Sequence, residues 1–163
     1  MRPPKRTAVR TGGQDAFPPG PPVLHLWREM SAPVLPPVHA AFRAIALTVV
    51  PEAGSLTAAE WLAAERIIED ALGHRPAGIR RQLQLLIRAL DLLPLLRYGR
   101  RFTALDPASR LAFLDAMQRF PILLVRRGVW GLRTLVFMGY YGRPEARAAI
   151  GYRSEARGWE ARR

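Results

Sequence analysis

Catalysis and metal binding need side chains that move protons, attack carbons or hold cations, and this chain spreads such groups thinly. His25 lies in a proline-rich stretch, His39 at the start of an apolar run and His74 in a Gly-His-Arg-Pro turn. No two stand four residues apart on one helix, the spacing of a zinc-binding pair. The absence of cysteine excludes disulfides, thiolate metal sites and a cysteine nucleophile together. Glu60, Glu65, Glu69 and Asp70 fall in one capped segment, where a solvated helix face is expected rather than an acid–base pair. Asp91 is the one acid flanked by apolar residues, and Arg88, three residues earlier, is its expected salt-bridge partner. Neither a G-x-G-x-x-G nor a G-x-x-x-x-G-K-[ST] phosphate loop is present. The expectation is a binding or structural protein with no catalytic residue, metal or cofactor of its own.

The most distinctive stretch is FMGYYGRPEARAAIGYR, residues 137–153, with three tyrosines, three glycines, one proline and a single acid. After a long helix the chain must stop there, turn at Gly142–Arg143–Pro144, form one short helix and return. Tyrosines at both ends are expected to pin the turn inward while presenting their hydroxyls outward.

The elements that would carry these residues read as helices throughout. VHAAFRAIALTVV (38–50) is apolar on most faces and stops at Pro51. Thr57 and Glu60 form a capping box opening the next helix, in which Trp61, Leu62, Glu65 and Ile68 follow at helical spacing before a stop at Gly73. A third helix starts near Pro76, with Leu83, Leu86, Ile87, Leu90 and Leu93 as its core stripe and a bend or break at Pro94 before Gly99. Asp106 caps a fourth helix with Pro107 at its first position, and Leu111, Phe113, Leu114, Met117 and Phe120 are its expected buried side. The fifth is expected from Pro121 to about Tyr141. No strand-like alternation occurs, so the fold class is all-α: one bundle of about five helices plus a short C-terminal one.

Nine of the fifteen prolines lie in the first 37 residues, which sets off residues 1–36 as an extended arm, 37–152 as the helical domain and 153–163 as a basic tail. The arm is expected to be removable without loss of stability. The arm lacks the apolar run of an export signal and a twin-arginine pair, so the chain as written is expected in the cytoplasm. The most apolar window, residues 121–141, carries Arg126, Arg127 and Arg133, each costing about 2.5–3.5 kcal/mol at a bilayer centre, which argues against a membrane span.

The net charge is +12. Residues 1–74 hold seven basic and seven acidic side chains, whereas residues 75–163 hold eighteen arginines and six acids, so the whole excess lies in the second half. Such a field favours acidic partners. With 24 arginines to one lysine and no asparagine, codon bias is an alternative source of many of these arginines.

Three blocks resemble the small subunit (subunit 3) of gluconate 2-dehydrogenase and related flavin-linked dehydrogenases. They are FRAIALTVVPEAGSLTAAEWLAAERIIEDAL (42–72), RRFTALDPASRLAFLDAM (100–117) and YYGRPEARAAIGY (140–152). The first is similar to a helix ending in proline and acid, a Gly/Ala turn and a second helix. The second is similar to the family's phenylalanine, leucine, proline and arginine run into a helix, and the third to its aromatic-Gly-x-Pro segment closing on Gly-Tyr. The chain departs from the family in its arginine–proline arm, where an export signal often stands. It departs again at Arg153–Ser154, where a Pro-Gly often follows the last aromatic. The resemblance implies a bacterial, non-catalytic, chaperone-like accessory subunit. It would bind and assist folding, assembly or maturation of a large flavoprotein of the glucose-methanol-choline type, which carries FAD and in some complexes is joined by a cytochrome c subunit.

The expected partner surface is the fifth helix and the turn after it. Arg126, Trp130, Arg133 and Phe137 stand at i, i+4, i+7 and i+11 and form one stripe, continued by Tyr140, Tyr141 and Tyr152. The alternative placement puts Trp130 in the core with the arginines reaching outward along its edge. The alternative function is a basic nucleic-acid-binding or general interaction domain, with Arg80, Arg81, Arg100, Arg101, Arg126 and Arg127 on phosphates.

Overall fold

A computed structural model describes residues 33–152, and the helical reading holds throughout them. Seven helices follow one another with no strand among the described residues. They are α1 (His39–Val49), α2 (Ala58–Gly73), α3 (Ala77–Leu92), the single-turn α4 (Leu95–Tyr98), α5 (Pro107–Gln118), α6 (Leu123–Tyr141) and the short α7 (Pro144–Ala149).

Local chemistry sets most of their ends. The Thr57 N–H donates to Glu60 Oε2 at 2.8 Å and the Glu60 N–H to Thr57 Oγ1 at 3.3 Å, a complete capping box on α2. The Asp106 carboxylate accepts the Ser109 N–H at 3.0 Å and Pro107 fills the first position of α5. Pro94 ends α3, and Gly99, left-handed at φ 65°, ends the extra turn α4, a conformation that costs glycine little. Two boundaries differ from expectation. Ile122 is extended (φ −79°, ψ 114°), so α6 begins at Leu123 rather than Pro121. Gly73 is not left-handed, and α2 passes into a right-handed turn at His74.

α6 is the element around which the others pack. Its inner face, Val129, Leu132, Val136 and Gly139, is buried against α2, α3, α5 and α1. The closest approach is to α2. A Cβ on Gly139 would stand 2.7 Å from Ile68 Cδ1 and 3.0 Å from the Ala64 carbonyl oxygen, so only glycine lets the two backbones meet there. Phe42, Ile45, Ile87, Leu90 and Phe102 complete the core, with the Phe102 and Phe113 rings 5.9 Å apart.

Two expected core positions face solvent. Leu93 is 41% exposed because Pro94 ends the regular helix beside it, and Leu111 is 53% exposed on the outer side of α5. Leu62 is exposed as well.

The domain also begins earlier than residue 37. Val34 and Leu35 are buried, and their N–H groups donate to the Glu69 carboxylate at 2.6–3.0 Å, while Gln84 Nε2 donates to the Val34 carbonyl at 3.0 Å. Removing residues 1–36 would therefore strip core, which corrects the expectation that the whole arm is dispensable. The rest of the arm, His25 included, and the tail from residue 153 lie outside the described residues.

Candidate docking face and its clasp

The stripe expected on the fifth helix is on the surface of α6. Trp130 is 70% exposed, which rules out its placement in the core. Arg126 and Tyr141 are exposed beside it, and Phe137 is 37% exposed. From Arg126 to Tyr141 the stripe runs about 22 Å along the helix.

Its parts are ordered by one another. Arg133 is half-buried, its Nη1 donating to Gln118 Oε1 of α5 at 2.5 Å while its guanidinium lies 5.9 Å from the Phe137 ring. The Phe137 and Tyr141 rings are 6.2 Å apart. A tryptophan, a phenylalanine and a tyrosine interleaved with arginines make the composition of a protein-binding hot spot.

The tyrosines divide. Tyr140 is half-buried against the core, edge-on to Tyr141 at 5.0 Å, so it supports the stripe from beneath rather than belonging to it. Tyr152 is exposed at the end of α7 and makes no ring contact among the described residues. The turn is thus pinned by a tyrosine at one end only.

Arg143 holds the turn, and the sequence reading missed it. Only 3% exposed, it donates from Nε to the Tyr140 carbonyl at 3.2 Å and from Nη1 to Glu60 Oε1 at 3.1 Å, with its guanidinium 4.8 Å over the Tyr140 ring. Glu60 therefore caps α2 with one oxygen and clasps the α6–α7 turn with the other. Hydrogen bonds from the Thr57 backbone and hydroxyl, then the Arg143 charge, hold its pKa below the ordinary carboxylate range.

The same correction applies to its neighbours on α2. Glu65 Oε1 meets His39 Nε2 at 3.0 Å and accepts from Arg43 Nε at 2.9 Å, and Glu69 holds the chain at Val34 and Leu35. The row Glu60, Glu65, Glu69 is a set of inter-element clamps rather than a solvated face, and only Asp70 is exposed. Asp91 likewise departs from expectation. It accepts from the Thr103 N–H at 3.2 Å and hydroxyl at 3.1 Å and lies 3.8 Å from Arg101, while the exposed Arg88 is not its partner.

Among the described residues no group of three or more His, Asp or Glu is placed to hold a metal ion, and no helix is long and apolar enough to cross a membrane. An open groove of about 600 Å³ beside the start of α1 is lined by His39, Arg88, Asp91 and Arg101 among others. The arginines named for nucleic acid are spread over three places. Arg80 is half-buried and Arg81 exposed on α3, Arg100 and Arg101 follow α4, and Arg126 and Arg127 lie on α6.

The chain matches no protein-family model, no curated protein and no solved structure.

Proposed function

We propose that this chain is the small, non-catalytic accessory subunit of a flavin-linked dehydrogenase, and that the outer stripe of α6 docks on the FAD-bearing large subunit. The observation that carries the reading is Trp130. A tryptophan 70% exposed on the most centrally packed helix, between Arg126 and Arg133 and followed by Phe137, has no role in the fold's own packing. The carboxylates support the non-catalytic part. Glu60, Glu65, Glu69, Asp91 and Asp106 each hold a backbone segment or a cation in place. The large subunit would supply the oxidation and its FAD, and the resemblance of the three sequence blocks supplies the dehydrogenase class.

The test is expression of the tagged full-length chain in its native host, followed by purification and an absorption spectrum. Co-purification of a larger polypeptide with an oxidised-flavin spectrum is expected. A chain that purifies with partners free of flavin contradicts the assignment.

A further inference from the structure

None of the residues lining the open groove beside the start of α1 lies on the α6 stripe. Its volume, about 600 Å³, falls in the range of small-molecule sites. Three elements wall it. Pro36–Val38 form the turn that leads into α1, Arg88 and Leu92 stand on α3, and Arg101 follows α4. Hydrogen bonds to α3 hold the other two walls in place. Gln84 Nε2 donates to the Val34 carbonyl at 3.0 Å, just before the turn. Asp91 accepts from the Thr103 N–H at 3.2 Å and hydroxyl at 3.1 Å, which fixes the chain beside Arg101. His39 is held as well, with its Nε2 3.0 Å from Glu65 Oε1. The groove is therefore formed before any ligand arrives.

Its charges do not balance. Asp91 brings one negative charge to the lining, and Arg88 and Arg101 bring two positive ones. Asp91 Oδ1 is taken by Thr103, and Oδ2 lies 3.8 Å from Arg101 Nη1. Arg88 is exposed and makes no ion pair or hydrogen bond among the described residues. One guanidinium is thus left without a counter-charge, and the walls beside it, Pro37 and Leu92, are apolar. A guanidinium presents its donors as a planar fork that fits the oxygens of a carboxylate or phosphate.

We propose that this groove binds a small organic anion, with its carboxylate or phosphate on Arg88 and Arg101 and a short apolar body along Pro37 and Leu92. A few polar groups converging on a largely apolar concave surface are the composition of a small-molecule site. A polyanion such as a nucleic acid is met instead by many cations spread along its phosphates. The groove has one cation to spare, which a single anionic group neutralises. The inference uses no residue assigned to subunit docking and stands apart from that reading.

The experiment is an amide NMR titration of the purified, isotope-labelled full-length chain with hexanoate, phenyl phosphate and hexanamide. Hexanamide matches hexanoate in its body and lacks the charge. At least one of the anions is expected to shift the amides around His39, Arg88 and Arg101 at millimolar concentration, and the tighter of the two names the head group. Hexanamide should leave those amides in place. Arg88→Ala should weaken anion binding about tenfold, the loss of one charge-assisted pair. Arg81→Ala removes the same charge from the same helix outside the groove and should leave affinity unchanged. Both positions are exposed, so the circular dichroism melt should not move. No shift with either anion overturns the proposal, as does hexanamide binding as tightly as hexanoate. Equal weakening by Arg81→Ala and Arg88→Ala also overturns it, since the overall charge of the chain would then account for binding.

Discussion

The two faces of α6 both carry apolar side chains and use them in opposite ways. Inward, Val129, Leu132, Val136 and Gly139 are small or aliphatic, and Gly139 brings the backbone against α2. Outward, Trp130, Phe137 and Tyr141 are large, aromatic and spaced by arginines. A core is close-packed, and a helix crossing four others leaves room for shape, not bulk. The bulky aromatics have therefore gone to the face where another molecule can meet them. Size and charge together separate the two faces.

The strongest way to break this comparison is to truncate one residue on each side. Leu132→Ala should cost about 2–5 kcal/mol of folding stability, since it opens a cavity in a fully packed site. Trp130→Ala should change stability by no more than about 0.5 kcal/mol, as expected for an exposed substitution. Urea denaturation of both variants measures the difference, and equal costs would show that the tryptophan packs within the fold.

A finer version uses one substitution at two places on the helix. Gly139→Ala should destabilise by about 1–2 kcal/mol, because the new methyl meets Ile68 and the Ala64 carbonyl and overpacking outweighs the gain in helix propensity. Gly131→Ala meets nothing within 4 Å and should stabilise by up to about 1 kcal/mol. Thermal melts of the pair should move in opposite directions. A shift of the same sign would mean that α6 does not approach α2 at Gly139.

The smallest effect is on pH. Glu60 is held below the ordinary range chiefly by the Thr57 backbone N–H, and Asp106 by the side chain and then the backbone of Ser109. Both folded pKa values are depressed, so their contribution is complete above the unfolded values, about 4, and is lost as pH falls through the folded ones. The melting temperature should be level across neutral pH and decline only below about pH 4.5. Glu60→Gln should flatten that decline, and an unchanged acid limb would remove Glu60 from the account.

What could be read from the sequence follows the distance over which each feature is decided. The helix starts at Thr57 and Asp106 and the break at Pro94 depend on residues within one turn, and the structure has all three. The roles of Glu65, Glu69 and Glu60 depend on partners up to 26, 35 and 83 residues away, and no local pattern specifies them. Arg143 looked like a turn residue for the same reason, since its burial follows from Glu60 meeting it across the bundle. Leu93 and Leu111 were misplaced by a different cause. Large apolar residues are crowded along α3 (Leu83, Leu85, Leu86, Ile87, Leu90) and α5 (Leu111, Phe113, Leu114, Met117), so spacing alone does not say which of them face inward. The exposed stripe on α6 was found because arginines at Arg126 and Arg133 mark the side that burial would penalise.

The central claim is that the outer face of α6 docks a flavoprotein. Its most direct test is the flavin bound per chain after affinity purification from the native host, compared between the unaltered chain and Trp130→Ala/Phe137→Ala. The account predicts flavin in proportion to the unaltered chain and little or none with the double variant, whose melting temperature stays close to that of the parent. Flavin retained in full by the double variant, or absent from the unaltered chain, would contradict it.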